Sequence, residues 1–321
     1  MNTEKIIDFM AYRKIAAALS IVLIVVSIAS LAFKGLNFGL EFTGGTQIEL
    51  KYQKPAQLNP IRNTLNEAGY TGAVVVNYGS DTNVLIRLQQ SKPLLKEGEI
   101  PAGEQVSIGD VIKDTMQEQV DEPIELLRTE VVGPQIGEEL ANDGGLGMLL
   151  ALAVVMFYVA MRFQFKFSLG AVAALIHDVV IVLGIFSLFQ FTFDLTVLAA
   201  VLAVIGYSLN DTIVVADRIR ENFRLVRKKS PLEIINISLS QTLGRTLVTS
   251  ITTLLVLLAL FFVGGAMIHY FSLALIIGVA VGTYSSIYVS ANILLAANIT
   301  SEDLIPVEKE GEEFDELEPM P

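Results

Sequence analysis

The chain has 321 residues, 52% of them hydrophobic, a mean hydropathy of +0.57, no Cys and a formal net charge of −12. That apolar share exceeds ordinary soluble usage and points to a membrane protein; without cysteine, thiolate chemistry is excluded. Much of the acidity lies in one place, Glu302 to Glu318 with nine acids and one Lys, and no large basic domain exists to support a nucleic-acid partner.

Ile15 to Phe33 is uncharged and follows Lys5, Arg13 and Lys14. Its 19 residues suit a membrane helix better than a signal-peptide core, although Ser30-Leu31-Ala32 loosely imitates a cleavage site. The basic flank places the N-terminus in the cytoplasm. Residues 1–36 therefore form a cytoplasmic N-terminus and first transmembrane helix.

Residues 37–140 read as a soluble insertion large enough to fold alone. Strands are expected over 45–52, 73–78, 84–89 and 124–132, with a turn at Gly79-Ser80-Asp81-Thr82. Helices are expected over 60–68, ended by Gly69, and over 108–120, with Ile108, Val111, Ile112 and Met116 at helical spacing. The order βαββαβ is that of a ferredoxin-like module. It carries no metal cluster, nucleophile dyad or phosphate loop, so it reads as a binding or mechanical module.

Five more apolar segments follow within 141–300, at about Gly144–Met161, Phe167–Phe189, Leu195–Val215, Thr246–Ile268 and Phe271–Ile299. The basic residues Arg162, Lys166, Arg218, Arg220, Arg224, Arg227, Lys228 and Lys229 fall in alternate loops, while 190–194 and 264–270 have no Lys or Arg. This pattern puts both termini in the cytoplasm and the insertion outside, in the periplasm of a Gram-negative cell. Ser230-Pro231-Leu232-Glu233 is a capping box opening a short surface helix that ends at Gly244. Residues 301–321 read as an acidic, disordered cytoplasmic tail. The fold class is a polytopic α-helical membrane protein, with six transmembrane helices and an inserted α+β ferredoxin-like periplasmic domain after the first.

The chemistry centres on Asp211, 16 residues beyond Leu195 and about 24 Å along a helix. A carboxylate at that depth is costly and usually functional; the other reading is an early helix exit with an interfacial acid. Arg245 opens the fifth span, and Thr249, Thr252 and Thr253 share its helix face. These hydroxyls either line a polar path to the acid or bond back to their own helix. His177-Asp178 interrupts the third span, as candidate relay or structural partners. Adjacent residues do not share a helix face, so at most one points at Asp211. Gly278, Gly282, Ser286 and Ser290 form a stripe for close helix packing, within the bundle or across to a partner.

The segment from Gly35 to Thr46, containing Gly39, Glu41, Phe42, Gly44 and Gly45, resembles the Phe-Gly-hydrophobic-Asp-Phe-Thr-Gly-Gly-Thr motif of the SecF family. That family consists of membrane subunits of the bacterial protein-export accessory complex and is an RND-type half in architecture. Asn210-Asp211-Thr212 with Asp217, Arg218 and Arg220 resembles its fourth-span signature. Glu41 departs from the usual Asp by one methylene. The resemblance implies a non-enzymatic subunit of the inner membrane that uses the proton motive force to aid export through SecYEG. Implied partners are SecD, YajC and unfolded exported polypeptides, with no cofactor and H⁺ or Na⁺ as coupling ion. Asp211 becomes the ion-coupling acid and Arg245 the residue linked to it, with Asn210, the three threonines, His177 and Asp178 as candidate relay groups. A small-molecule RND efflux subunit competes but is disfavoured, since such pumps carry two halves in one chain. An intramembrane aspartyl protease using Asp178 and Asp211 would need carboxylates that share a proton.

Overall fold

The computed structural model describes residues 6–88, 107–226 and 229–300. The expected acidic tail, together with Arg227 and Lys228, lies outside the described residues. Helix α1 (Arg13–Phe33) follows a 3-10 turn at Phe9–Tyr12; strand β1 (Asn37–Phe38) and helix α2 (Leu40–Thr43) come next. The insertion contains β2 (Gly45–Lys51), α3 (Leu58–Glu67), β3 (Val74–Tyr78), β4 (Ser80–Leu88), α4 (Ile108–Gln117) and β5 (Glu125–Val132). Then come α5 (Pro134–Arg162), α6 (Phe165–Phe189), β6 (Thr192–Phe193), α7 (Leu195–Leu225), α8 (Pro231–Val263) and α9 (Ala266–Ala296).

The insertion is a four-stranded sheet ordered β3-β4-β2-β5, with every neighbouring pair antiparallel. Alternation sorts its residues: Ile48, Leu50, Val84, Ile86 and Leu88 pack against Ile61 and Leu65 of α3 and Ile112 and Met116 of α4. The other face carries Gln47, Glu49, Arg87, Arg128 and Glu130 beside Val74, Val76 and Leu85, and turns toward the helical bundle. There Arg87 donates to Thr192 (3.4 Å), and Arg128 reaches the sulfur of Met267 (3.2 Å). The sheet thus lies across the α6–α7 and α8–α9 connections, with its helices outermost.

Among the described residues, six helices are long and apolar enough to cross a membrane. Helix α9 is the hub, packing extensively on α6, α7 and α8. Its small residues permit this: a side chain at Gly278 would run into Val204, and one at Gly282 would stand 3.2 Å from Ser208. The small-residue stripe therefore works inside the bundle. Apolar helices gain little from hydrophobic burial when lipid is the alternative, so close packing and hydrogen bonds carry the association. Helices α5, α8 and much of α1 leave long apolar faces exposed on this chain.

Three local expectations change. The surface helix and the fifth span are one continuous helix, Pro231–Val263, running through Gly244. A helix-interior glycine costs only about 1 kcal/mol, and the first turns of α8 are anchored well beyond that. Ile234, Ile235 and Leu239 are buried there, and Asn236 bonds both the Met10 amide (3.0 Å) and Asp8 (2.8 Å). The capping box at Ser230 and Glu233 forms as expected. The hairpin between β3 and β4 is tighter than expected, since Tyr78 already pairs with Ser80 and Gly79 alone turns at φ 76°. Finally, α5 begins at Pro134, after Gly133 and with Pro in its first turn, so residue 140 lies inside a helix.

Candidate functional site

Helix α7 starts where the Asp194 carboxylate accepts from the Val197 amide (2.9 Å) and runs 31 residues without a break. Val197, Val201, Val204, Ser208, Asp211, Val215, Ile219 and Asn222 lie on its buried side, following the helical repeat. Asp211 thus lies near the middle of the helix, on its buried side. It is 4% exposed, and its Oδ2 has no hydrogen-bond partner among the described residues.

Arg245 on α8 is close enough for its charge to act on Asp211, but no ion pair joins them among the described residues. Its side chain lies on the exposed side of α8. The expected hydroxyl ladder turns back on its own helix. Thr249 donates to the Arg245 carbonyl (3.1 Å), Thr252 to Val248 (2.7 Å) and Thr253 to Thr249 (2.8 Å). The buried hydroxyls of α8 are instead Ser238, Thr242, Thr246 and Ser250. Ser250 bonds Thr283 of α9 at 2.7 Å, while Thr246 Oγ1 is buried without a partner among the described residues. The spacing of Thr242, Thr246 and Ser250 every four residues was the available signal. Asn210 is exposed, on the far side of α7 from this cluster.

His177 and Asp178 form a second site, and they meet each other. Asp178 is wholly buried; its Oδ1 lies 2.8 Å from His177 Nδ1, and its Oδ2 accepts from Ser208 (2.5 Å) and Ser285 (2.7 Å). His177 Nε2 contacts Ser20 Oγ (3.1 Å), which contacts Tyr284 Oη (3.1 Å). Tyr284 in turn donates to the Ala16 carbonyl (2.7 Å). Neither residue bonds Asp211. Ser20, Ser208, Tyr284 and Ser285 escaped the sequence reading, because isolated hydroxyls in apolar helices carry no spacing signal.

The glycine-rich segment makes the joint between sheet and bundle. Gly39 donates to the Phe193 carbonyl (2.8 Å), and β1 pairs with β6 in parallel. Gly44 (φ 67°) sits where a side chain would stand 3.0 Å from Pro134 Cα, so only glycine lets α2 meet the start of α5. Burial pushes the Glu41 carboxyl above its ordinary range; Asp194 and Glu130 add to this, while its own backbone amide and Arg87 oppose it. Phe42 packs with Phe38 and Phe193. At the other end of α7, Asp217 pairs with Arg162 of α5 (3.7 Å) and Arg218 with Glu221 (2.7 Å). The Arg220 Nε is buried without a partner among the described residues. Asn222 donates to Ser238 and Gln241 of α8, both at 2.8 Å. Among the described residues no group of three His, Asp or Glu could hold a metal ion.

The family model described as "Protein export membrane protein SecD/SecF, C-terminal" matches residues 112–299, more than half of the chain. The "SecD/SecF GG Motif" model matches residues 29–56. The chain belongs to the SecD/SecF family. Relatives in this family are alike over nearly the whole length. A protein translocase subunit SecF of Pseudomonas aeruginosa is 52% identical over 300 residues, covering 94% of each chain. The SecF of Vibrio alginolyticus is 49% identical, covering 99% of this chain and 98% of its own. Among solved structures, SecDF of Thermus thermophilus, a translocon-associated membrane protein, superposes with TM-score 0.80 at 34% identity. That match covers 93% of this chain but only 39% of the SecDF chain. A second SecDF structure, in a super-membrane-facing form, gives TM-score 0.65 at 35% identity. Within the SecD/SecF family, then, this is a multi-pass membrane protein of SecF length.

Proposed function

We propose that the chain is the SecF-type subunit of a protein-translocase accessory complex that uses the ion motive force to assist export through SecYEG. It sits in the inner membrane with both termini cytoplasmic, and its βαββαβ unit is a ferredoxin-like periplasmic domain. A SecD-type chain supplies the other half, with YajC associated. The match to 39% of a SecDF chain and the exposed apolar faces of α5 and α8 support that partnership. The domain holds unfolded polypeptide weakly and without sequence preference. Its sheet edges suit strand addition, and a cavity of about 450 Å³ lined by Tyr52, Pro60, Ile61 and Met116 opens beside α3 and α4.

One observation carries the energetic part of this reading: Asp211, buried at the middle of α7, has an Oδ2 without a hydrogen-bond partner among the described residues, and Arg245 is near but not paired with it there. A guanidinium close to a buried acid favours its charged form, and withdrawal favours the protonated form. Movement of α8 against α7 therefore loads and unloads an H⁺ or Na⁺ at Asp211. The test uses the chain with its SecD-type partner and SecYEG in vesicles. Asp211→Asn should abolish the stimulation of export by a membrane potential while assembly survives. Full potential-dependent export by that variant refutes the coupling role.

A further inference from the structure

The hydrogen bonds around His177 can be assigned a direction, because one end of the chain of contacts is a pure acceptor. The Ala16 carbonyl can only accept, so the 2.7 Å contact uses the single Tyr284 hydroxyl proton. At the next link, 3.1 Å, Ser20 must then donate to Tyr284. Ser20 has no second proton, so at the 3.1 Å contact His177 Nε2 must carry hydrogen and donate. One contact is left, His177 Nδ1 to Asp178 Oδ1 at 2.8 Å. It needs exactly one proton between two atoms that are both acceptors without it. Ser208 donates to Oδ2, and Ser285 directs its one proton to Oδ2 (2.7 Å) and, at longer range, the Gly282 carbonyl (3.1 Å), so neither supplies it.

We infer that His177 and Asp178 hold one proton between them as a dyad of zero net charge, and that this dyad, through Ser208, positions the turn of α7 that carries Asp211. Zero charge suits the site, since both residues are almost fully buried and an unpaired charge there is costly. The connectivity Asp178–His177–Ser20 is also that of a hydrolytic triad, but its polarity is reversed. In a triad the serine gives its proton to Nε2; here Nε2 gives to Ser20, so Ser20 is not activated. The positional role follows from Ser208, which lies three residues before Asp211 and is clamped between Asp178 and Gly282. Four helices, α1, α6, α7 and α9, meet in this network.

The positioning half rests on the ion-coupling reading of Asp211; the protonation half does not, and the tests separate them. The chain has two histidines, so His269→Gln leaves only His177 to be seen. Nitrogen-15 NMR of that labelled chain, in complex with its unlabelled partner in vesicles, should show Nε2 protonated and hydrogen-bonded. An unprotonated Nε2 overturns the dyad. Asp178→Asn offers an independent check, since an Asn amide can donate to Nδ1 while its oxygen accepts from both serines. Its thermal unfolding should stay close to that of the parent, well above Asp178→Leu. Equal destabilisation of the two overturns the dyad as well. For positioning, Ser208→Ala should lower potential-driven export about tenfold, the scale of one lost bond to a charged group, with assembly intact. Unchanged export in Ser208→Ala, where Asp211→Asn abolishes it, overturns the positioning role and leaves the coupling role standing. No loss in Asp211→Asn overturns both.

Discussion

Asp178 and Asp211 are both buried carboxyls on neighbouring helices, and their surroundings differ in kind. Asp178 collects His177, Ser208 and Ser285, so both its oxygens are paired. Asp211 keeps a buried oxygen with no partner among the described residues, and Arg245 stands on an exposed helix face. A buried polar group left unpaired costs about 1–3 kcal/mol, more when charged. Folding alone would close such a site, as it closes the other one. The contrast separates an acid bonded into the helix packing from an acid with an oxygen left open, as the proposed coupling role requires.

The sharpest way to break this contrast is Gly282→Leu. Its new side chain would press on Ser208 and on Asp178 Oδ2, which lie 3.2 and 3.5 Å from the first added carbon. Overpacking there should cost about 3 kcal/mol and bring export to background, read by thermal unfolding and by vesicle export. Wild-type assembly and export in this variant would remove the stripe's packing role. Next in size, Asn222→Ala cuts both bonds from α7 to Ser238 and Gln241. It should lose about 1–2 kcal/mol in chemical denaturation, without touching either acid.

Smaller effects sharpen the description of Asp211. Arg245→Lys keeps the charge but loses the planar fork, and Asp211→Glu keeps the charge with altered reach. Each should reduce potential-driven export by roughly threefold to tenfold, short of the Asp211→Asn loss. Activity equal to the parent in both would show that geometry at this site is slack. Smallest is Gly244→Ala beside Arg245. No atom lies within 4 Å of the added methyl, and α8 is continuous there. Stability should rise by about 0.5–1 kcal/mol, and a loss would mean that the helix breaks at Gly244 after all.

The six apolar helices and the βαββαβ order were legible because hydropathy and periodicity are local. Asp211 was legible for the same reason, as a charge inside an apolar run. The boundary at Gly244 misled because glycine's local cost is small beside the tertiary anchors of Asn236 and Ile235, which no nearby residue announces. The pairing of Asn37–Phe38 with Thr192–Phe193 joins segments far apart in sequence, and two-residue strands have no period to read. His177 and Asp178 were visible as residues, but not as a pair. Adjacency argued against a shared face, yet the imidazole folds back onto its neighbour's carboxylate. The threonines of α8 show the limit of face arguments: the right spacing was present, and the helix's own carbonyls took the protons.

The pairing of β1 with β6 gives α7 a long arm. Its outer end is fastened to the sheet side of the molecule through Thr192, Phe193 and Gly39, about 24 Å from Asp211 at 1.5 Å per residue. A tilt of about 10° pivoting at Asp211 would swing that end by about 4 Å. A displacement of that size exceeds the slack in the Arg87–Thr192 bond, already 3.4 Å long. The sheet then has to travel with the arm or let go of it. Angstrom-scale rearrangement around one carboxylate is thereby geared up into motion of an entire folded unit on the opposite end of the helix.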